Sequence, residues 1–317
     1  MLVRLIYVDH NILIDVFKGN IELPNSADIV WAYSNEHFAE IVRSRNEELL
    51  DCLDRLHAQR IRIELSDGFK ISDWAILDRE KSPSEYFREY LSEINKFPTI
   101  DFVPLLSFLS GNKNDFDIVG FSDNFKSALK KLDLFGCIGE KQKIIKEHLN
   151  SLIELVGDRL SNELHKSNEK IIPRFEVRNH LAGQGVSNIT DINGKIVDEI
   201  WNRMDKAKLN LTKDQFFGKE PFPFVGAKSP NPYYLQIIQC YYALNTVGYW
   251  PDKKLSYVKK IYGINSDASH VGHAAFCPAL LSEDERLCRK AAAIYQYFDI
   301  DTQVINIKLL SRSNGIS

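Results

Sequence analysis

The first sixty residues alternate apolar runs of strand length with stretches of helical spacing, and nothing else in the chain constrains its fold so strongly. "LIYVDHN" (5–11) sets a short apolar run directly against Asp9, His10 and Asn11. "ILIDVFKG" then reads as a short helix, with Asn11 in position to cap it and Gly19 to end it. "ADIVWAYS" (27–34), rich in β-branched and aromatic residues, reads as a second buried strand. Ser34 stands where an N-cap belongs, and "NEHFAEIVRSRNEELLDCLDRL" carries helical spacing through Phe38, Ile41, Leu49, Leu50, Leu53 and Leu56. Strand, helix, strand, helix in this order specifies a parallel α/β sheet. "RIRIELS" (60–66) alternates and offers one more strand.

From about 67 to 230 helical patterns dominate, broken by the proline- and glycine-rich "GKEPFPFVGAKSPNP" (218–232). The α/β pattern returns afterwards: "PYYLQIIQCYYALNTVGYW" as a helix, "CPALLS" (277–282) as a short strand, "EDERLCRKAAAIYQYF" as a helix and "TQVINI" (302–307) as a last strand. Neither end has enough strands for a sheet of its own. The expectation is therefore one α/β domain assembled from residues 1–66 and 233–317, its parallel sheet flanked by helices, with 67–232 as a large, mainly helical insertion.

Bulk composition narrows the class. Of 317 residues 44% are apolar and 26% charged, enough to bury a substantial core, and no apolar stretch is long enough to span a membrane. The formal net charge of −3 gives no general attraction to nucleic acid, so any such partner would need a local basic face. The five cysteines are scattered without a CxxC pair, which fits a reduced, cytoplasmic setting and gives no zinc motif.

In open parallel sheets, ligands bind beyond the carboxyl ends of the strands. Four acids fall at or near such ends: Asp9 after the first strand, Glu40 under two turns into the helix after the second, Asp267 in "NSDASHVGHAAF" at the start of a helix, and Asp284 after the late strand. Each alone has a plainer role, as a turn residue, a helix cap or an exposed helical acid. Together at one rim they would repel each other unless a cation sat among them, and oxygen ligands of this kind suit Mg²⁺ or Mn²⁺.

These segments, "YVDHNILID", "YSNEHFAEI", "SDASHVGHAA" and "LLSEDERL", together resemble the PIN-like nuclease superfamily, as does the closing "KAAAIYQYFDIDTQVINI". The match covers roughly the first 60 and last 85 residues, and each motif alone is weak. The separation of Glu40 from Asp267 departs from a compact PIN domain, and the helical insertion accounts for it. The resemblance implies metal-dependent phosphodiester hydrolysis, with Asp9, Glu40, Asp267 and Asp284 holding one or two Mg²⁺ or Mn²⁺ ions. The register at the end of the late strand leaves Glu283 as the alternative to Asp284. It further implies that Asn11 braces the Asp9 loop, that Ser34 and Ser282 bind water or phosphate, and that Arg286 clamps a phosphate. His10 reads as packing.

By the same resemblance RNA is the expected substrate, as for toxin-type endoribonucleases, in a stress or phage-defence effector with a possible homo-oligomeric state or an inhibitor protein as partner. A DNA-directed, flap-type nuclease and an inactive module binding nucleic acid or protein remain alternatives. A haloacid dehalogenase-type phosphatase is disfavoured, because it needs a second Asp where Asn11 stands. "RFEVRNH" offers Arg174 and His180 to a different, metal-free ribonuclease chemistry, though Phe175 departs from its usual pattern.

Overall fold

The structure, a computed structural model, describes residues 4–66, 70–96, 101, 104–105, 108, 116–131, 142–170, 195–205, 211–221, 231–252 and 258–308. The chain forms two compact units. One comprises Met1–Arg88, Val177–Lys253 and Gly263–Ser317; the other comprises Glu89–Glu176 and Lys254–Tyr262.

The first unit holds a six-stranded sheet of β1 (Arg4–Val8), β2 (Ile29–Tyr33), β3 (Gln59–Ser66), β4 (Lys70–Asp78), β5 (Ala279–Ser282) and β6 (Gln303–Asn306), in the order β4-β3-β2-β1-β5-β6. The pairs β1/β2, β1/β5, β2/β3 and β5/β6 are parallel. The two ends of the sequence thus build one sheet, and β1 and β5 meet at its centre. Their apolar residues are buried, Tyr7, Val8, Leu280 and Leu281 almost completely, as expected of parallel strands covered on both faces. Burying each such side chain stabilises the fold by roughly 1.5–3 kcal/mol.

The sheet is mixed, which corrects the purely parallel expectation: β3 and β4 pair antiparallel. "KISDWAILD" lies in the stretch read as helical, and its β-formers Ile71, Trp74 and Ile76 were its only local signal. The pairing is reinforced at its far end, where Asp78 Oδ2 accepts from Arg60 Nη2 at 2.7 Å and from Arg62 Nε at 3.2 Å. An antiparallel edge strand on a parallel sheet is a common extension.

Helices flank the sheet: α1 (His10–Phe17), α2 (Asn35–Ser44), α3 (Leu49–Arg55) and α4 (Pro83–Lys96) follow its first strands. The long helix read from residue 35 breaks in two where Arg45 takes a left-handed conformation, φ 54°. Ser34 caps α2 as expected, accepting from the Glu36 amide. Further along are α5 (Ile118–Lys131), α6 (Gln142–Lys170), α7 (Ile196–Arg203), α8 (Lys213–Phe216), α9 (Tyr233–Val247), α10 (Val258–Ala274) and α11 (Glu285–Phe298). The segment 67–232 is therefore divided: β4, α7 and α8 belong to the unit with the sheet, whereas α5 and α6 belong to the other.

In that second unit α5 and α6 pack through Phe108, Ile118, Phe121 and Leu164. The Ser122 hydroxyl donates to the Gly157 carbonyl at 2.7 Å, a close helix approach. Among the described residues no helix is long and apolar enough to cross a membrane. Cys52, Cys240, Cys277 and Cys288 are free thiols.

Candidate functional site

From β1 the chain runs outward to β2 and β3 on one side, and it later returns to β5 and β6 on the other. The direction of winding reverses between β1 and β5, and ligand crevices of parallel sheets form at such reversals beyond the carboxyl ends. Asp9 follows β1, and Asp284 follows β5 by two residues. The two strand ends are joined there. The Asp9 amide donates to the Leu281 carbonyl at 2.9 Å, and the Ser282 hydroxyl donates to Asp9 Oδ2 at 2.7 Å while accepting from the Asp284 amide at 3.1 Å.

Asp9 occupies the cap position of α1 without capping it through its side chain, so its carboxylate is left for Ser282 and for Asn11, whose Nδ2 donates at 3.3 Å. Asn11 braces Asp9 rather than capping the helix. Asp284 does cap α11: its Oδ1 accepts from the amides of Arg286 and Leu287 at 2.7 and 3.1 Å.

Asp267 reaches the same place from α10. It lies more than two turns inside that helix, not at its start as the sequence suggested. Close packing sets the position of α10. A Cβ on Gly272 would stand 2.6 Å from a ring carbon of Tyr234, so only glycine admits that ring. The Tyr241 hydroxyl donates to Asp267 Oδ2 at 3.3 Å. Burial first, and then the charges of Asp9, Asp252 and Asp284, push the Asp267 carboxyl well above the usual carboxylate range. Burial likewise raises Asp9, with the charge of Glu40 adding to it and His270 and Ser282 opposing it.

Glu40 stands on the flank of this group. Its Oε2 lies 2.9 Å from His270 Nε2 and 3.4 Å from His10 Nδ1, and its Oε1 is 3.8 Å from Arg43. Burial alone would raise its pKa. The charge and hydrogen bond of His270 hold it down to about 2. His270, buried but facing both Glu40 and Asp9, is raised to about 9. Its Nδ1 meets the Tyr7 hydroxyl at 2.8 Å, and Tyr7 in turn meets Ser34 Oγ at 2.8 Å. His37 is fixed as the neutral tautomer, accepting from the Ser34 amide at Nδ1 and donating from Nε2 to the Val8 carbonyl.

The remaining sequence candidates divide. Ser282 holds Asp9, as described. Ser34 is fully buried and engaged with Tyr7 and Glu36, so it has no face toward a substrate. Arg286 is partly exposed in the first turn of α11, and its guanidinium makes no ion pair among the described residues. Glu283 pairs with Lys308 at 2.9 Å, which leaves Asp284 as the residue whose charge reaches Asp267. Arg174 and His180 lie outside the described residues.

Sequence reasoning missed Asp252 and Lys290. Lys290 is entirely buried, and its Nζ lies 2.8 Å from Asp252 Oδ2. A lysine at the inward-facing spacing of Leu287, Ala291 and Ile294 on an amphipathic helix was the one available signal.

The donor set suits a hard divalent cation. Asp9, Asp267 and Asp284 each use one oxygen in a hydrogen bond, and the other accepts none among the described residues. As they stand, no three His, Cys, Asp or Glu side chains among the described residues close around a single point. The charges of Asp9, Asp252 and Asp284 all bear on the Asp267 carboxyl. No protein-family model, curated protein or solved structure matches the chain.

Proposed function

We propose that this chain is a metal-dependent nuclease of the PIN-like kind that its motifs resemble, acting on RNA. One observation supports the reading above others. Asp9, Asp267 and Asp284 come from three separate elements, yet the charges of Asp9 and Asp284 both reach Asp267 where the sheet reverses direction, and each acid has an oxygen that accepts no hydrogen bond among the described residues.

In this reading Asp9, Asp267 and Asp284 hold Mg²⁺ or Mn²⁺, with Glu40 adding its charge from the flank. An ion bound there eases deprotonation of a water and stabilises charge on the leaving oxygen of a phosphodiester. The chain's own residues do the positioning. Ser282 and Asn11 aim Asp9, the Tyr241 hydroxyl orients Asp267, and the first turn of α11 orients Asp284. His270 keeps Glu40 ionised beside Asp9. Arg286, on the same turn as Asp284, offers two parallel donors to a substrate phosphate. RNA rather than DNA follows from the resemblance, and so does the role of a cytoplasmic stress or phage-defence effector.

The test is cleavage by the purified full chain of labelled single-stranded and structured RNA, with single-stranded, duplex and flap DNA in parallel. Cutting of RNA in Mg²⁺ or Mn²⁺ is expected, together with its loss in chelator and in Asp9→Asn or Asp284→Asn. The amide nearly preserves shape while removing the charge that the ion requires. Cutting that persists in EDTA or in Asp9→Asn overturns the mechanism; binding without cutting under every metal would establish an inactive module instead.

A further inference from the structure

The stretch that follows α9 is pinned to α11 at two points. Asp252 Oδ2 lies 2.8 Å from the buried Lys290 Nζ. Asn245, on α9, holds the same aspartate: its Nδ2 donates to Oδ2 at 2.9 Å, and its Oδ1 accepts from the Asp252 amide at 3.2 Å. Two residues earlier Trp250 packs against the neighbouring side chain of α11, with the Arg289 guanidinium carbon 5.4 Å from the centre of its ring.

Trp250 is held there under strain. Its φ is 43°, in the left-handed region, and Pro251 follows it and restricts its backbone further. A bulky residue keeps such a conformation only where its surroundings over-determine it, and strain of this kind gathers at positions that hold a ligand. Glycine would relieve the strain but would supply no ring.

Arg289 is presented to solvent. Its side chain is 43% exposed, and Nη2 lies 3.5 Å from Glu285 Oε1 one turn back, which together with the Trp250 ring orients the guanidinium. Arg286, three residues before it, shares the same helix surface. Arg289 stands five residues beyond the Asp284 cap, about 7.5 Å along the helix axis, so it adjoins the candidate site without entering it. A planar cation backed by an indole ring is a stacking surface for a nucleobase, and single strands offer unstacked bases where duplexes do not.

We propose that Arg289, backed by Trp250, is a base-stacking platform that holds single-stranded RNA beside the Asp284 edge of the candidate site. The inference rests on the nuclease reading above and deepens it, because it names the strand form that the site takes. Arg286 meets a phosphate and Arg289 an adjacent base. The role concerns binding and is read without turnover.

The test is fluorescence anisotropy with a short labelled single-stranded RNA and with the same strand carrying abasic nucleotides. It is run in Mg²⁺ on the full chain bearing Asp9→Asn, so that cutting does not consume the probe. This parent is expected to bind the intact strand about tenfold more tightly than the abasic one. Adding Arg289→Lys keeps the charge and loses the plane, so the preference is expected to vanish while the salt dependence stays the same. Adding Trp250→Ala is expected to abolish the preference as well, by removing the backing of Arg289. No preference in the parent, or a preference unchanged by Arg289→Lys, overturns the platform and leaves the nuclease reading standing. No binding of either strand overturns the nucleic-acid reading, and this inference with it. Because Arg289 is half exposed, Arg289→Lys decides even if Trp250→Ala does not fold.

Discussion

The hydroxyl of Ser282 donates to Asp9 Oδ2 at 2.7 Å across 273 residues of sequence, at the seam where β1 and β5 pair. One side chain thus ties the first acid of the chain to the turn that carries Asp284. Ser282→Ala removes a hydrogen bond to a buried carboxylate, and a cost of about 1.5–3 kcal/mol is expected. Urea unfolding of the two proteins measures it. Equal midpoints would mean that Asp9 is held by something other than Ser282.

Asp267 is the acid most opposed by its surroundings, through burial and three neighbouring carboxylates. Asp267→Asn keeps the shape and removes the repelled charge. In chelator at pH 7 the variant is expected to melt higher than the wild type, by about 2–4 °C for each kcal/mol relieved in a domain of this size. The same variant is expected to lose the stabilisation that added Mn²⁺ confers. A melting temperature lowered in chelator would contradict the strain assigned to this position.

Gly272 faces the ring of Tyr234 with no space for a Cβ. Gly272→Ala is expected to destabilise by about 1–3 kcal/mol through overpacking, despite alanine's better helix propensity. Because α10 carries Asp267 and His270, the shift is expected to reduce Mn²⁺ affinity as well. Paired thermal melts and Mn²⁺ titrations test both effects. A neutral or stabilising outcome would show that α10 is not wedged against Tyr234.

The His273 ring is held neutral: burial pushes its pKa down to about 4, although its Nδ1 donates to the Ser269 carbonyl at 2.8 Å. A folded-state pKa below the unfolded value of about 6.5 means that the unfolded chain binds more protons in between. The contribution is therefore complete above about pH 6.5 and declines as pH falls toward 4. Denaturant midpoints measured across that window are expected to fall more steeply for the wild type than for His273→Gln. Parallel profiles would remove His273 as a source of acid sensitivity.

Much of this architecture was legible in order and spacing. Strand and helix periodicities near both termini, with Asp9 and Asp284 set against the ends of apolar runs, sufficed for an α/β sheet built from distant segments. Those signals are local and strong because buried parallel strands are almost continuously apolar. The antiparallel β4 escaped notice because its alternation is interrupted and it depends on pairing with β3, including the Arg60 and Arg62 contacts to Asp78. The position of Asp267 inside α10 was equally hidden, since an aspartate before a run of small residues itself reads as a helix start.

The sequence by itself determined where Asp9 and Asp284 stand, because a carboxylate after a buried strand has few inexpensive positions other than the sheet's carboxyl edge. Only the tertiary structure decided how they are matched. It drew Glu40 toward His270 and His10, buried Ser34 behind Tyr7, and brought Asp252 and Lys290 to Asp267. These pairings join residues separated by most of the chain or by helix packing, and their energies depend on burial and charge contact, neither of which a linear pattern encodes.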